Sequence, residues 1–301
     1  MPTTSVQLLS ADFMHRLERL DVLSRKILRG KLQGERRSKK RGQSVEFADY
    51  RNYVVGDDLR FIDWNLYARL DKLFLRLFME EEDLSISLVL DVTASMHQGD
   101  PDKLLYAKQL AASLGYIALS QHNRVNLYAV TDRVVDSVRN LRGRRPIPQM
   151  LEFLQRQTSE DQQPGDLDQA CKQVAMLGRQ PGVVILVSDF LEKGELSDAL
   201  RHLASQQHDT YAIQVLSPQE TDPTAGQIVG DLRLTDVEDG DVAEVSISPA
   251  LLKRYRATLQ AYCQHVREQC LKRNIAYMVS ETSVSFETVI LQYLRERGLL
   301  G

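Results

Sequence analysis

Apolar runs alternate with amphipathic stretches through the middle of the chain. Two runs, ISLVLDV at 86–92 and VVILVSD at 183–189, are almost continuously apolar, which is typical of parallel strands buried on both faces. Similar but shorter runs predict further strands at 125–130, 134–138 and 210–216. Helical spacing of apolar positions predicts helices near 103–120, 147–156, 166–177 and 195–205. This alternation predicts an α/β fold of the Rossmann-like kind, with a doubly wound, mostly parallel sheet.

The two ends of the chain and one insertion depart from this alternation. Apolar spacing predicts an N-terminal helix over 11–30, with Ser10 or Asp12 as its cap, and a strand or short ribbon at 73–78. Two alternating runs around Asp239-Gly240 predict an inserted β-hairpin at about 226–248. The remaining predicted elements are a helix at 249–273, a strand at 275–280 and a final helix at 285–297. We therefore expect an N-terminal part, 1–83, and a sheet domain, 84–301.

The overall charge gives little reason to expect a nucleic-acid or membrane partner. Hydrophobic residues make up 43% of the chain, charged residues make up 26%, and the net charge is −3, all ordinary for a globular protein. The stretch 25–41 differs, because it holds nine Lys or Arg and one Glu. Such a run cannot bury itself, so we expect an exposed arm. A solvated loop is the favoured interpretation, and an electrostatic docking strip is the alternative.

The cysteines and the absence of long apolar segments favour a cytoplasmic protein. The three cysteines include no Cys-x-x-Cys pair, so we interpret them as buried thiols of a reducing compartment. The N-terminus has no basic region followed by an apolar run, and no stretch approaches the roughly 18 apolar residues of a membrane span.

Two of the predicted parallel strands lead into an aspartate, Asp91 and Asp189. Ligands of open parallel sheets bind at the carboxyl ends of the strands, and a buried carboxylate without a partner is costly. We therefore expect the two acids to share a cation or a shell of hydrogen bonds. Thr93 and Ser95 follow Asp91 at alternate positions, so three oxygens can turn towards one point, as Mg²⁺ requires. The alternative is that the two hydroxyls only cap the next turn.

Two motifs carry a resemblance to known families. Asp91-x-Thr93-x-Ser95 resembles the metal-ion-dependent adhesion site of von Willebrand factor A domains, which continues with a later Thr and a later Asp. The segment 44–69 is similar to a bacterial family labelled a domain of unknown function, number fifty-eight, and the similarity extends from about residue 30 to the end of the chain. The matching positions are Glu46-Phe47, Arg51, Tyr53, Gly56-Asp57-Asp58, Arg60, Ile62-Asp63-Trp64 and Ala68-Arg69.

The resemblance implies a von Willebrand factor A-like fold and a protein partner. The partner that the resemblance implies is a MoxR-type AAA+ ATPase or its client, for which the protein would act as an adaptor or co-chaperone. The implied ligands of Mg²⁺, or of another divalent cation, are Asp91, Thr93, Ser95 and Asp189. Gly165 stands where the family usually has a Thr ligand, so Asp166 or a water has to supply the missing oxygen.

The motif segment has a structural and a functional interpretation. Its polar and aromatic residues are Gly56, Asp57, Asp58, Arg60, Asp63, Trp64 and Arg69. We favour an internal ion-pair network that orients the segment against the sheet over a separate polar site. For Trp64, the only tryptophan, we expect an anchor in a core or an interface.

These observations favour a non-enzymatic, metal-assisted protein-binding module. One alternative is a metal-dependent phosphatase-like hydrolase, which needs a second Asp two residues after the first as acid/base, where this chain has Thr93. The chain also lacks the Gly-x₄-Gly-Lys-[Ser/Thr] phosphate loop, so we expect no ATP hydrolysis. The other alternative is nucleic-acid binding through 25–41, which would weaken steeply with salt and would not respond to Asp91→Ala.

Overall fold

A computed structural model describes most of the chain, as two compact units. The described residues are 8–22, 47–78, 84–158, 166–177, 180, 182–191, 196–204, 208–223, 231–235, 242–246, 248–294 and 299–300. One unit comprises Met1–Gln33 and Leu84–Gly301, and the other comprises Gly34–Asp83. The basic stretch 25–41 lies outside the described residues.

The N-terminal helix α1 (Ala11–Leu17) begins as predicted and ends earlier. The Ser10 hydroxyl accepts a hydrogen bond from the Phe13 N–H, so Ser10 is the cap. The predicted continuation towards residue 30 is wrong for the described residues after Leu17. There Val22 is extended and forms an antiparallel bridge with Leu300, so its burial comes from this pairing and not from a helical face.

The smaller unit contains a two-stranded ribbon and a short helix. Strand β1 (Phe47–Asn52) pairs antiparallel with β2 (Phe74–Phe78), which confirms the ribbon predicted at 73–78. Helix α2 (Trp64–Leu70) lies between them in the chain. Its N-cap is Asp63, whose carboxylate accepts the N–H groups of Asn65 and Leu66, each at 3.0 Å.

The larger unit is built on a six-stranded sheet with the order β10-β7-β6-β3-β4-β5. Its strands are β3 (Ser85–Asp91), β4 (Arg124–Val130), β5 (Val134–Arg142), β6 (Gly182–Ser188), β7 (Asp209–Leu216) and β10 (Ala276–Glu281). A separate antiparallel hairpin is formed by β8 (Asp231–Thr235) and β9 (Val242–Ser246). All neighbouring pairs in the main sheet are parallel except β4 with β5, which confirms the predicted mostly parallel sheet.

Helices cover both faces of this sheet. They are α3 (Lys103–Ser120), α4 (Ile147–Arg156), α5 (Leu167–Leu177), α6 (Leu196–Ala204), α7 (Pro218–Thr221), α8 (Pro249–Leu271) and α9 (Phe286–Thr288). One core joins the sheet to α1, α3, α4 and the C-terminal residues, and a second core joins its other face to α5, α6 and α8. This doubly wound arrangement explains why β3 and β6 are apolar on both faces.

Some sequence expectations needed correction at the level of single elements. The strand predicted at 134–138 continues to Arg142. The final helix predicted at 285–297 is described as far as Leu294, where it consists of a short α-helical turn followed by a π-helix over Val289–Tyr293. The three cysteines are free, and Cys171 and Cys270 are buried as expected, whereas Cys263 is only half-buried. Across the residues that the structure describes, no helix is long and apolar enough to cross a membrane.

Candidate functional site

The two strand-end aspartates lie on neighbouring strands at the carboxyl edge of the sheet. Asp91 is the last residue of β3, and Asp189 directly follows β6, which pairs with β3 in parallel register. From β3 the chain continues to β4, which pairs with one edge of β3, whereas β6 pairs with the other edge. The pair β3–β6 therefore marks the point where the strand order reverses, and such a crevice is where open α/β sheets bind ligands.

Asp91 is buried and is held by hydrogen bonds. Only 2% of the surface of this residue is exposed. One oxygen, Oδ1, accepts the Thr93 N–H at 2.9 Å and the Thr93 hydroxyl at 2.7 Å, while Oδ2 accepts the Ser188 hydroxyl at 2.5 Å. Burial and then the charge of Asp189 raise the pKa of Asp91 to about 6, which the hydrogen bonds only partly offset. No basic side chain in the described part forms a salt bridge with Asp91.

The three predicted oxygen donors after β3 converge. The Thr93 hydroxyl lies 3.0 Å from the Ser95 hydroxyl as well as 2.7 Å from Asp91, so the side chains at alternate positions share one pocket. Thr93 is buried and Ser95 is half-buried. A 3₁₀ turn, Ala94–His97, starts at Thr93, yet the Thr93 side chain makes no capping bond. The Thr93 hydroxyl thus bonds both Asp91 and the Ser95 hydroxyl instead of capping this turn.

A tight turn after β6 fixes the position of Asp189. Ser188 donates its hydroxyl to Asp91 and accepts the Phe190 N–H at 2.9 Å, while Phe190 adopts a left-handed conformation with φ of 56°. Asp189 Oδ1 accepts the Leu191 N–H at 3.1 Å. The sequence signal for Ser188 was a single hydroxyl residue in an otherwise apolar strand, and our sequence reasoning missed its role.

Lys103 is the second residue that sequence reasoning missed, and it changes the electrostatics of the site. Its Nζ lies 2.7 Å from Asp189 Oδ2 and 2.5 Å from Glu220 Oε1, and the residue is 0% exposed. Burial acts to lower the pKa of Lys103, but the charges of Asp189 and Glu220 and their hydrogen bonds together raise it. Lys103 is therefore a buried cation that contacts Asp189 and Glu220.

Glu220 is held in place by its own capping box. Its other oxygen accepts the Ser217 N–H at 2.7 Å, and the Ser217 hydroxyl accepts the Glu220 N–H at 3.3 Å. The loop after β3 packs on this turn, since a Cβ added to Gly99 would lie 2.4 Å from Ser217 Cβ. Lys103 therefore connects the chain segments that follow β3, β6 and β7.

The site has a net negative charge but offers a divalent cation few charged ligands. With all groups ionised, Asp91, Asp189 and Glu220 carry −3 and Lys103 carries +1, which leaves −2. Within the described ranges, no three Asp, Glu, His or Cys side chains converge as a ligand cluster. The oxygens that converge are two hydroxyls and the carboxylate of Asp91, whereas the carboxylate of Asp189 is paired with the ammonium of Lys103. This set fits a Mg²⁺-like ion that retains several waters.

Asp166, which was expected to replace the missing Thr ligand, has a different local role. Its Oδ1 accepts the Gln169 N–H at 3.1 Å, so it caps α5, and the residue is exposed. Gly165, which stands at the family's usual Thr position, lies outside the described residues.

The acidic residues of the motif segment form ion pairs within the smaller unit. Asp57 pairs with Arg51 at 2.9 Å, Asp58 with Arg60 at 2.6 Å, and the buried Asp63 with Arg76 at 2.8 Å. The hydrogen bond from Arg76, followed by the one from the Leu66 N–H, holds the pKa of Asp63 well below its usual range. Asp63 also accepts the Tyr50 hydroxyl at 3.1 Å. The three acids therefore form separate ion pairs inside this unit, two of them with arginines outside the expected set, and the orientation of the segment against the sheet stays a prediction.

The aromatic and backbone positions of the motif segment are exposed. Trp64 is 60% exposed and meets Tyr67 edge-on with ring centroids 6.2 Å apart, so it is not a core anchor. Arg69 is also exposed, in the last turn of α2. Gly56 has a φ of 105°, a backbone conformation that favours glycine. No atom lies within 4 Å of an added Cβ, so the glycine is explained by this conformation and not by crowding. Exposed apolar side chains surround it in sequence, including Val55 at 94% exposure.

Comparison with known proteins establishes the family. The chain belongs to the family described as "Protein of unknown function DUF58", which matches residues 49–266, and the family predicted from the motifs is thereby confirmed. It is 30% identical over 241 residues to "Uncharacterized protein Rv1480" of Mycobacterium tuberculosis (strain ATCC 25618 / H37Rv), covering 78% of this chain and 74% of the relative. "Uncharacterized protein Mb1516" of Mycobacterium bovis (strain ATCC BAA-935 / AF2122/97) matches with the same values.

Two solved structures show more distant similarity. The conserved hypothetical protein BatB from Bacteroides thetaiotaomicron aligns with a TM-score of 0.44 and 15% identity, covering 71% of this chain and 98% of that one. An aerotolerance-related membrane protein from Bacteroides fragilis NCTC 9343 aligns with a TM-score of 0.45 and 15% identity, covering 71% and 99%.

Proposed function

We propose that this protein is a non-enzymatic, von Willebrand factor A-like adaptor that binds a protein partner at the carboxyl edge of β3 and β6. The observation that carries the proposal is the convergence of Asp91, Thr93 and Ser95 in one pocket at the point where the strand order reverses. A phosphatase of the related strand-end type would need a carboxylic acid at residue 93 as its general acid. The threonine there supports binding over hydrolysis.

A divalent cation, preferably Mg²⁺, would be held by Asp91 together with the hydroxyls of Thr93 and Ser95. When bound, the ion would supply an open coordination position for an acidic side chain of the partner. The chain's own residues position the donors: Ser188 fixes one oxygen of Asp91, and Thr93 fixes the other. Ionised Asp91 also attracts the cation, since no basic side chain in the described residues pairs with it.

The partner that we propose is a MoxR-type AAA+ ATPase or its client, with the protein acting as an adaptor in chaperone-like assembly or regulation. This choice rests on the family resemblance of the motif segment. We propose a cytoplasmic location on the basis of the unpaired cysteines, two of which are buried thiols.

The test is affinity capture from native lysate with the wild type and two matched aspartate variants. Asp91→Ala removes the pocket's carboxylate, and the control Asp198→Ala removes an exposed carboxylate from α6. In Mg²⁺, we expect an AAA+ ATPase or its client to be recovered by the wild type and Asp198→Ala and to be lost with Asp91→Ala. Chelation alone is ambiguous because AAA+ ATPases themselves require Mg²⁺. Equal recovery by all three proteins would remove the pocket from the proposed function.

A further inference from the structure

We infer that Lys103 is a built-in cation that occupies Asp189 and so keeps this carboxylate out of the divalent-ion site. The inference rests on the proposed function only in that a divalent ion binds at Asp91, Thr93 and Ser95. It assigns a specificity-determining role to a residue outside the adhesion-site motif.

The contacts of Lys103 account for both acids that could otherwise add charge to the ion site. Its Nζ lies 2.7 Å from Asp189 Oδ2 and 2.5 Å from Glu220 Oε1. A fully buried ammonium is tolerated only when it is paired in this way. Asp189 Oδ1 accepts only the Leu191 N–H, so the contact that distinguishes Asp189 from Asp91 is the ammonium of Lys103 on Oδ2, which competes with a metal ion for this carboxylate.

The remaining carboxylate is Asp91. A Mg²⁺-like ion prefers carboxylate oxygens, and its affinity rises with the number of charged ligands. With Asp189 neutralised by Lys103, the pocket offers one carboxylate and two hydroxyls. An ammonium next to the pocket also repels a divalent cation. The ion is therefore held weakly by this chain alone.

A weak ion site gives the partner a defined role. An acidic side chain from the partner would supply the second carboxylate that Lys103 withholds. Since binding coupling is reciprocal, the partner then increases the affinity for the ion by the same factor by which the ion increases the affinity for the partner. Lys103 thus makes ion binding and partner binding depend on each other.

The test measures Mn²⁺ affinity by titration calorimetry for the wild type, Lys103→Arg, Lys103→Met and the double variant Lys103→Met/Glu220→Gln. The double variant decides the question, because it removes one positive and one negative charge and keeps the formal cluster charge of −2. Any gain then comes from releasing Asp189 and not from net charge. In Lys103→Met, both Asp189 and Glu220 lose their ion-pair partner. In the double variant only Asp189 does, so we expect the double variant to fold more stably than Lys103→Met. Circular dichroism checks that each variant is folded.

We expect the double variant to bind Mn²⁺ at least about tenfold more tightly than the wild type, because a second carboxylate joins the site. Lys103→Arg should show no gain, and adding Asp91→Asn should abolish the gain. If the wild type binds Mn²⁺ and the double variant gains nothing, the role of Lys103 is overturned while the metal site stands. If only the double variant binds, the role of Lys103 is supported and metal-bridged binding by the native protein is not. If neither binds, both fail.

Discussion

The buried Asp91 predicts a pH-dependent loss of stability that a single substitution should remove. Its pKa is raised to about 6 in the folded protein, against about 3.9 in an unfolded chain. Between these values the native state holds the proton more tightly than the unfolded state does. Stability from this group is thus complete below about pH 4 and is lost as the pH rises through about 6. The difference of about two pKa units corresponds to about 3 kcal/mol.

The assay is urea unfolding at a series of pH values, with chelator present, for the wild type and Asp91→Asn. Titrating groups that do not interact with Asp91 are common to both proteins and cancel in the difference. We expect the free energy of unfolding of the wild type to fall by about 3 kcal/mol relative to the variant between about pH 4 and pH 7. Far-UV circular dichroism should be the probe, because Trp64 lies in the smaller unit. Asparagine preserves the carbonyl that accepts from Thr93, and Ser188 can turn its hydroxyl to accept from the amide.

Parallel pH curves for the two proteins would refute this reasoning, because Asp91 would then not be a buried acid that ionises at a cost. Asp198→Asn, on the exposed face of α6, should leave the wild-type curve unchanged and serves as the control. With Mg²⁺ present near neutral pH, the wild type should regain stability and Asp91→Asn should not, because only the ionised carboxylate attracts the ion.

Three further predictions concern other parts of the chain. Asp63→Ala removes the cap of α2 and the partner of Arg76, so amide hydrogens in α2 should exchange faster, as measured by mass spectrometry; unchanged exchange would contradict the capping role. Trp64 fluorescence should be readily quenched by acrylamide in the isolated protein and protected in a complex only if α2 contacts the partner. Gly182→Ala places a Cβ 1.9 Å from the Ser85 carbonyl oxygen and should lower the free energy of unfolding by about 1–3 kcal/mol; an unchanged thermal midpoint would show that β6 can move away.

The central strands could be predicted from sequence because their burial on both faces leaves one simple signal. Continuous apolar runs located β3 and β6 to within one residue, and the acids after them located the site. Parallel pairing then required both acids to lie at the same edge of the sheet. The N-terminal helix was overextended because Val22 is apolar for another reason, its pairing with Leu300. Apolar spacing alone does not distinguish these two causes of burial.

The charge-compensating half of the site could not be predicted in the same way. Lys103 opens a helix in the sequence, where lysine is usually solvated, and its two acids come from residues 86 and 117 positions away. Glu220 belongs to a local Ser217-Pro-Gln-Glu capping box, which explains that residue without any reference to the site. Only the fold brings these charges together. One available clue was that the helix from Lys103 is rich in apolar and small residues on all sides, so its lysine had little solvent to reach.

The enclosure of α3 determines which parts of the molecule can respond to a bound partner. Fifteen of its 18 residues are buried, and it contacts the sheet, α1, α4 and the C-terminal helical turns. A helix enclosed in this way cannot rotate about its axis or move along it without opening cavities on one side and creating steric clashes on the other. The amine at its first residue is thus tied to a helix that is enclosed along almost its whole length. The short turns that carry Asp189 and Glu220 are therefore the segments that would move first when a partner binds and strains the structure.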